Sequence, residues 1–495
     1  MEAQPLAANL SFAQLMRLKD EAHYKQVSLV YALPMHNYTP TQVLRVLKGI
    51  STHCYLLESA QHGDRGRYSF LGFDPTLEIY CQQGHMHIGD VDFLTDDPNF
   101  YIRQILHEHS SYKVPEFPPF CGGLVGYFSF EYLGYQEKSI CADKYIDEQF
   151  RDVDLMLFDQ LITFDHLQNK ILLTAQVELK NLKTSYNKAL LKIEQLEQLI
   201  TRGKPAHIEA GSLTGELHIQ HSKKSFCEMI VRAKKHIMDG DIFQIVLSNK
   251  ISAAYHGSLL DTYEELKTIN PSPYMFYFSG DDLEIAGSSP ETLVQLQDGV
   301  LHTYPLAGTR RRGQNAFEDK QQEKELLHDE KELAEHNMLV DLGRNDLGKV
   351  STFGSVCVER LHSIERFSHV MHLGSAVRGC ISPDKDALDA IVATMPAGTL
   401  SGAPKISACR LIAQLEKTRR GIYGGALGYL DFSGNMDTCI GIRLLYTKNG
   451  EVHVQTGAGI VADSQAEKEY EECMNKARSS LAALHIHDEN MRDLT

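Results

Sequence analysis

The 495-residue sequence has no tryptophan, no Cys-x-x-Cys pair among its ten cysteines and no apolar run approaching 18 residues. The missing apolar run excludes a membrane-spanning helix, and the start, Met1 to Pro5, lacks the basic region of a secretory signal. Scattered cysteines favour reduced thiols over disulfides. We therefore expect a cytoplasmic protein with no membrane partner. The absent tryptophan removes the intrinsic indole signal and decides nothing about mechanism.

Positive charge is also scarce, since 49 Lys and Arg residues are set against 65 Asp and Glu, for a formal net charge of −16. Nucleic-acid binding depends on clustered basic side chains, so we expect no nucleic-acid partner. A small anionic substrate would be repelled at long range, and its site needs a local cation or an Arg/Lys pocket. The length and the 43% apolar content predict a large core in two coupled domains.

The order of predicted elements indicates an α+β chain. Short strands with helical pieces fill the first part, a helix is predicted over about 180–200, and the Gly- and Pro-containing stretch 202–215 is typical of a connector. We place the domain boundary there, with an N-terminal domain over 1–205 and a second domain over 216–490. Turn signals near the C-terminus predict consecutive hairpins, including one strand from Cys439 to Thr447 that is followed by an Asn-Gly turn.

Two predicted helices each carry a pair of glutamates. The first helix is predicted over about 318–342, and its pair shares a side with apolar residues; the second lies near the C-terminus, and its pair shares a side with a lysine. At 100° per residue, one group shares an arc of about 80° and the other an arc of about 60°. The first group is Glu332, Glu335, Leu339 and Leu342, and the second is Glu469, Glu472 and Lys476. Buried carboxylates need a counter-charge, so the two pairs favour a hard cation between the helices. For an arbitrary pair at this spacing, a solvated surface is the commoner outcome.

Magnesium fits these carboxylates better than zinc does. Mg²⁺ takes oxygen ligands, keeps several waters and often shares its coordination with an anionic substrate. The close histidine pair, His369 and His372, has neither a carboxylate between its members nor cysteines at finger spacing, so a zinc site is disfavoured.

Two C-terminal features suit an anionic group. Gly457, Ala458 and Gly459 directly follow a strand, and such small residues let backbone N–H groups approach a carboxylate, although a plain turn fits nearly as well. Arg443, opposite the apolar face of its predicted strand, would end near these glycines and suits bidentate carboxylate binding. The stretch from Gly398 to Lys405 is not a phosphate loop, because its spacing is wrong and no Lys-Ser/Thr end follows.

Together these segments resemble the chorismate-utilising enzymes, and most specifically the large synthase subunits of anthranilate synthase. The resemblance runs through Leu56 to Ser59, Asp241 to Ser248, Asn270 to Met275, Gly287 to Glu291, Pro305 to Arg310, Asp329 to Asp346, Met395 to Lys405 and Gln455 to Lys476. It implies an α+β fold of largely antiparallel sheets in a sandwich flanked by helices, with two closely packed domains.

The resemblance gives the acidic pairs a role in binding Mg²⁺, which in this family bridges the enzyme and the ring carboxylate of chorismate. It implies Glu335 and Glu472 as ligands, with Glu332 and Glu469 beside them through water or second-layer contacts. A local positive field then offsets the net charge of the protein. The implied substrate contacts are Gly308, Thr309, Tyr423, Arg443, Gly457, Ala458, Gly459 and Lys476.

Two positions separate the reactions within the family. Isochorismate and salicylate synthases carry a water-activating lysine at the position of Gln244, and aminodeoxychorismate synthases commonly carry a nucleophilic lysine at that of Ala307. Glutamine and alanine cannot supply that chemistry, which leaves direct attack of ammonia at C2. The resemblance implies Glu291, with a raised pKa, as the acid for the departing 4-hydroxyl and His372 as base or positioner in pyruvate loss. The expected catalytic set is Glu291, His372, Thr309 and Gln244.

The resemblance also implies regulation and a partner. A tryptophan feedback pocket is expected at Glu58, Ser59, Pro273, Tyr274 and Met275. No Gly-x-Ser-x-Gly elbow and no glycine-flanked cysteine nucleophile occur, so ammonia should come from a separate glutamine amidotransferase subunit. The expected product is anthranilate for tryptophan biosynthesis. The alternatives are an aminodeoxychorismate synthase, an enzyme that stops at aminodeoxyisochorismate, and a catalytically silent ligand-sensing relative.

Overall fold

The computed structural model describes residues 9–21, 24–61, 63, 66–140, 150–366 and 370–486. The outer parts of both predicted domains, 1–8 and 487–490, and the zinc candidate His369 therefore lie outside the described residues. The described helices are α1 Phe12–Glu21, α2 Pro40–Leu47, α3 Pro98–Glu108, α4 Leu182–Arg202, α5 Lys223–Met238, α6 Leu260–Ile269, α7 Ala316–Leu327, α8 Glu330–Gly348, α9 Ala387–Thr394, α10 Lys405–Glu416 and α11 Ala466–Ala483. None of these described helices is long and apolar enough to cross a membrane.

Two large sheets organise the chain. In spatial order the first contains β12 Ser212–Leu213, β14 Gln244–His256, β26 Glu451–Ile460, β25 Leu444–Lys448, β16 Leu283–Ser289, β15 Tyr274–Ser279, β2 Cys54–Glu58, β3 Tyr68–Phe73, β10 Gln160–Asp165, β11 Lys170–Glu178, β1 Gln26–Pro34 and β7 Ser111–Tyr112, while β13 His218–Ile219 and β22 Gly402–Ala403 also pair with β14. The second contains β19 Leu306–Arg311, β21 Val370–Cys380, β18 Val300–Thr303, β17 Thr292–Gln297, β24 Met436–Ile440, β23 Ala426–Asp431, β8 Gly123–Phe128, β9 Val153–Phe158, β4 Leu77–Gln82, β5 His85–Ile88 and β6 Val91–Leu94, while β20 Cys357–Arg366 also pairs with β21.

The sheets pack face to face, because their strands alternate between two apolar sides. In β2, Tyr55 points into an aromatic core between the sheets, while Cys54 and Leu56 join the core under the helices on the other side. In β8, Val125 and Tyr127 enter the same aromatic core. Helices α2, α4, α5, α6, α10 and α11 cover the first sheet, and α3, α8 and α9 cover the second. The predicted α+β sandwich with flanking helices is confirmed.

Both sheets combine strands from before and after the connector at 202–215. In the first sheet β15 pairs with β2, with Met275 opposite Glu58. In the second sheet β23 pairs with β8, with Gly428 opposite Gly126. The two sequence segments therefore share both cores, and the division into domains 1–205 and 216–490 stays a prediction.

Two predicted elements are wrong. The helix expected over 318–342 is two helices, α7 and α8, because the Asp329 side chain accepts hydrogen bonds from the N–H groups of Lys331 and Glu332 and caps a new helix. The strand expected from Cys439 to Thr447 is also two strands. β24 lies in the second sheet and β25 in the first, and the chain crosses between the sheets at 441–443, where Arg443 has a φ of +52°.

Candidate active site

Glu332, in the first turn of α8, is engaged by the strand beside it. Arg310 in β19 donates to Glu332 Oε1 at 3.3 Å and to Asp329 Oδ2 at 2.6 Å. Gly308 has a φ of +65°, and a Cβ at that position would lie 3.0 Å from Glu332 Oε2. Glycine therefore permits both the left-handed backbone and the close carboxylate. Of the two predicted metal-site glutamates on α8, Glu332 is the one neutralised by an arginine.

Glu335, one turn further along α8, lies where three elements meet. Burial raises the pKa of Glu335, and the carboxylates of Glu332 and Glu472 raise it further. The amide of Gln244 in β14 donates a hydrogen bond to the Glu335 carboxylate, and this bond and nearby Lys331 lower the pKa. The two acidic helices predicted from the sequence are thus brought together, with Gln244 beside them.

On α11, the predicted ligand Glu472 is exposed to solvent over 52% of its side chain. Lys476 Nζ lies 2.7 Å from Glu472 Oε1 and donates to the Gly457 carbonyl at 3.0 Å. Burial raises the pKa of Glu469, which a hydrogen bond from Ser464 lowers and the Glu472 carboxylate raises. Lys476 therefore links the acidic helix to the glycine-containing strand.

The donor set of this cluster suits a metal that needs few protein ligands. Within the part of the chain that the structure describes, no three His, Cys, Asp or Glu side chains converge into a metal cage. Glu335 and Glu472 approach each other from two helices closely enough for one carboxylate to raise the pKa of the other. Mg²⁺ commonly binds through one or two carboxylates and completes its shell with water and substrate oxygens. The residues present therefore fit Mg²⁺ and do not fit an all-protein cage.

Gly457 and Gly459 face the active-site side of β26, whereas Ala458 is fully buried in the core on the opposite side. A Cβ on Gly457 would lie 2.8 Å from Tyr423 Oη, and one on Gly459 would lie 3.1 Å from Gln244 Nε2. The glycines thus make room for two side chains that lie across the strand. β25 pairs with β26 only up to Val454, so over 455–460 the edge away from β14 has no strand partner among the described residues.

Arg443 and His372 are the two remaining nitrogen-bearing side chains of the predicted site. Burial lowers the pKa of Arg443, while nearby Tyr423 raises it, and Arg443 Nη1 lies 3.5 Å from the Lys476 carbonyl. His372 Nδ1 lies 3.0 Å from the Gly308 carbonyl and 3.1 Å from Thr309 Oγ1. A carbonyl only accepts, so Nδ1 carries the hydrogen and Nε2 the lone pair in neutral His372. Burial lowers the pKa of His372, which favours this neutral form.

Glu291 follows β16 and is 9% exposed. The Thr399 hydroxyl lies 3.2 Å and 3.3 Å from its two carboxyl oxygens. Burial raises the pKa of Glu291 from 4.5 to about 8, against a smaller lowering by Thr399. A small cavity of about 40 Å³ beside Glu291 is also lined by Leu339 and Leu342 of α8, the helix that carries Glu335. At neutral pH this carboxyl group is mostly protonated.

The five residues of the predicted feedback pocket meet at a cavity of about 810 Å³ between the sheets. We call it the inter-sheet cavity, and its lining includes Glu58, Ser59, Pro273, Tyr274 and Met275. The Glu58 side chain is 6% exposed and lies 2.6 Å from Lys267 Nζ. None of the four glutamates of the predicted metal site, Glu332, Glu335, Glu469 and Glu472, lines this cavity. It is therefore distinct from the carboxylate cluster.

The sequence did not predict three residues that contact the candidate site or line the inter-sheet cavity, Thr399, Arg310 and Asp437. Thr399 lies in the segment that failed the phosphate-loop test, and its contact with Glu291 spans 108 positions. Arg310 neutralises Glu332, although its position in the Pro305 to Arg310 segment was a signal. Asp437 lines the inter-sheet cavity and accepts from Tyr274 Oη at 2.8 Å, and burial raises its pKa to about 6. No local pattern distinguishes Asp437 from a surface residue.

The match to a known family covers most of this architecture. Residues 52–482 match the chorismate binding enzyme family. The chain therefore belongs to that family.

Individual relatives narrow the comparison. The chain is 43% identical over 449 residues to anthranilate synthase component 1 of Acetivibrio thermocellus, covering 88% of this chain and 90% of that protein. It is 39% identical over 495 residues to anthranilate synthase component 1 of Aquifex aeolicus (strain VF5), covering 98% and 99%. The crystal structure of anthranilate synthase component I from Streptococcus pneumoniae TIGR4 superposes with a TM-score of 0.77 at 34% identity, covering 90% of this chain and 98% of that one.

Proposed function

We propose that this protein is the synthase component of an anthranilate synthase, which aminates chorismate at C2 and then eliminates pyruvate. The single observation that carries the choice of reaction is the position of Gln244, buried beside Glu335 and Gly459. Its amide nitrogen is engaged by Glu335, and its buried Oε1 has no hydrogen-bond partner among the described residues. An amide there cannot activate water as a base, but its carbonyl can accept a hydrogen bond from ammonia.

Substrate binding follows from the local charges. Glu335 and Glu472 would hold Mg²⁺, with Glu332 and Glu469 supporting them, and the ion would supply positive charge for the ring carboxylate of chorismate. Arg443, Lys476 and the amides of Gly457 and Gly459 would bind the second carboxylate, whereas the amide of Ala458 is turned toward Leu247 in β14. Gly308, Thr309 and Tyr423 would supply the remaining contacts to chorismate. This arrangement allows a protein of net charge −16 to bind a dianion.

The first half-reaction needs a nucleophile and a proton donor. Ammonia forms a bond to C2, both ring double bonds shift by one position, and the bond from C4 to its hydroxyl breaks. Glu291 is the general acid in this account, because its buried carboxyl group, with a pKa of about 8, still holds a proton at pH 7. That proton leaves with the hydroxyl as water. Ala307 offers no competing nucleophile.

The second half-reaction removes the C2 proton and breaks the bond from C3 to the enolpyruvyl oxygen, which makes the ring aromatic; the released enol takes up a proton and becomes pyruvate. In this proposal His372 is the base for this step; the hydrogen bond from its Nδ1–H to the Gly308 carbonyl and its lowered pKa support a neutral imidazole with Nε2 as the accepting nitrogen. Thr309, hydrogen-bonded to the same ring, holds its orientation. The product of the two half-reactions is anthranilate, a precursor of tryptophan.

Regulation and partnership complete the proposal. The inter-sheet cavity would bind L-tryptophan as a feedback inhibitor at Glu58, Ser59 and Pro273 to Met275, in a volume of about 810 Å³. Ammonia would come from a glutamine amidotransferase component in the cytoplasm. The name component 1 carried by the relatives supports a second component.

Paired substitutions on α11 test the metal assignment. Glu472→Gln should raise the Mg²⁺ concentration needed for half-maximal activity by about tenfold or more, because a neutral amide replaces one of the two carboxylates proposed to bind the ion. Glu471→Gln is the matched control, since Glu471 is exposed and its nearest ion-pair partner is Lys223 at 3.9 Å. An unchanged Mg²⁺ dependence in Glu472→Gln would remove Glu472 from the metal site.

Product identification tests the reaction itself. The pure chain, given chorismate, Mg²⁺ and ammonium at alkaline pH, should release fluorescent anthranilate, and omission of Mg²⁺ should abolish it. Accumulation of aminodeoxychorismate or of aminodeoxyisochorismate without anthranilate would favour one of the alternative enzymes.

A further inference from the structure

Helix α8 is fastened to the second sheet by two hydrogen bonds just beyond Glu335. His336 is 0% exposed, and its Nε2 lies 2.7 Å from the hydroxyl of Ser375 in β21. On the next residue, Asn337 Oδ1 accepts a hydrogen bond from His362 Nε2 in β20 at 2.8 Å. The same Ser375 hydroxyl accepts from the His362 backbone N–H at 3.2 Å. The β20–β21 wall therefore holds α8 at the turn that carries Glu335.

Ser375 also lines the inter-sheet cavity. Arg360 and Glu365 of the adjoining strand β20 also line this cavity, and Arg360 Nη2 lies 2.6 Å from Glu365 Oε1. The opposite side of the cavity carries Glu58 and Ser59. A ligand that fills the cavity and displaces this wall would therefore displace the hydroxyl that holds His336.

Movement at His336 cannot remain local. His336 and Glu335 are consecutive in a hydrogen-bonded helix, so they move together as α8 turns or shifts along its axis. Glu335 is also the carboxylate on which Gln244 and Glu472 converge. A displacement of α8 would therefore change the distance between the two carboxylates proposed to bind Mg²⁺.

We propose that the Ser375–His336 hydrogen bond couples ligand binding in the inter-sheet cavity to the position of Glu335. His336 is then a positioning residue for Glu335, and Ser375 is the contact through which the cavity acts on it. This inference rests on the proposed function, in which L-tryptophan occupies the cavity and chorismate with Mg²⁺ occupies the site at Glu335. By linkage, L-tryptophan and the chorismate–Mg²⁺ pair must weaken each other by the same factor.

The absence of tryptophan from the protein makes this factor directly measurable. Added L-tryptophan is the sole indole in solution, so its own fluorescence anisotropy reports binding when it is excited at the red edge of indole absorption, where the 22 tyrosines of the protein absorb little. Titrations are run with no other ligand and with Mg²⁺ plus chorismate, omitting ammonia so that no amination occurs. In the wild-type protein, Mg²⁺ and chorismate should raise the Kd for L-tryptophan by about fivefold or more. In Ser375→Ala this factor should fall below about twofold, with the ligand-free Kd still measurable.

Three further variants separate coupling from general damage. Ser363→Ala is the matched control, because its hydroxyl donates to the Gly374 carbonyl within the same wall and should leave the factor at the wild-type value. His336→Gln keeps an amide nitrogen near the place of Nε2 and should retain most of the coupling, whereas His336→Leu should lose it. A full coupling factor in both Ser375→Ala and His336→Leu would overturn the proposal.

Titrations of the wild-type protein separate the coupling from the assignment of the cavity as the L-tryptophan site. Wild-type protein that binds L-tryptophan with the same Kd in both conditions would overturn the coupling and leave the cavity assignment standing. Wild-type protein that binds no L-tryptophan would overturn the regulatory part of the proposed function and the coupling with it. The assignment of the chain as an anthranilate-forming enzyme would stand under either result.

Discussion

Replacing Glu291 with glutamine removes a carboxyl group whose charged form the fold disfavours. Burial raises its pKa from 4.5 to about 8, and the Thr399 hydroxyl offsets only part of that shift. In the unfolded chain the pKa returns to its ordinary value, so between about pH 4.5 and 8 the folded state holds a proton that the unfolded state has lost. With the folded pKa raised, the free energy of unfolding falls as pH rises through this window. Glutamine is neutral throughout and is spared that loss.

The size of the effect follows from the shift. A change from 4.5 to about 8 spans about 3.5 pH units, equivalent to about 5 kcal/mol once the pH exceeds 8. We expect Glu291→Gln to be more stable than wild type by about 2–5 kcal/mol at pH 8.5 and by less than about 1 kcal/mol at pH 5. For 495 residues the entropy of unfolding is about 1 kcal/mol per kelvin, so Tm should rise by about 2–5 °C at the higher pH.

Thermal unfolding at pH 5 and pH 8.5, followed by circular dichroism, measures the difference. Glu228→Gln on α5 is the control, because Glu228 is exposed and loses little solvation on folding. Its Tm relative to wild type should not change between the two pH values. If Glu291→Gln gained no more stability at pH 8.5 than at pH 5, burial would not be raising the pKa of Glu291 and its assignment as a neutral acid would fail.

Three further predictions concern catalysis. At constant free ammonia, kcat/KM for chorismate should fall about tenfold per pH unit above about pH 8, because Glu291 loses its proton. In Glu291→Gln, kcat/KM should be about 10²–10⁴-fold lower than in wild type and should not fall further above pH 8. Arg443→Lys should raise the KM for chorismate about 10–100-fold, because a lysine cannot make a bidentate contact; an unchanged KM would place Arg443 outside the substrate site. Gly459→Ala would put a methyl group 3.1 Å from Gln244 Nε2 and should lower ammonia-dependent kcat about tenfold or more while the Tm stays within a few degrees.

Local chain chemistry predicts the parts of the site that lie on single elements. The helical period alone placed Glu332 with Glu335 and Glu472 with Lys476, and the structure has both α8 and α11 over those residues. The Asn449-Gly450 turn was equally local, because both residues adopt positive φ, as a tight hairpin requires. The sandwich and the grouping of the feedback-pocket residues came from the family resemblance.

The remaining features depend on contacts between distant segments. Asp329 is helix-compatible by pattern, yet its side chain caps α8 and breaks the predicted long helix. The apolar run from Cys439 to Thr447 is consistent with one strand, but its two halves belong to different sheets, and Ile440 and Leu444 pack in different cores. The pairing of Thr399 with Glu291 exists only after the sheets assemble. Such features depend on tertiary packing, which no single-segment pattern encodes.

The reaction at C2 is tested most directly by the fate of the nucleophile. The purified chain is incubated with chorismate, Mg²⁺ and ¹⁵N-labelled ammonium, and the products are identified by mass spectrometry. The account predicts ¹⁵N-labelled anthranilate and pyruvate in equal amounts. Isochorismate or salicylate, or an aminated product that keeps its enolpyruvyl group, would contradict it.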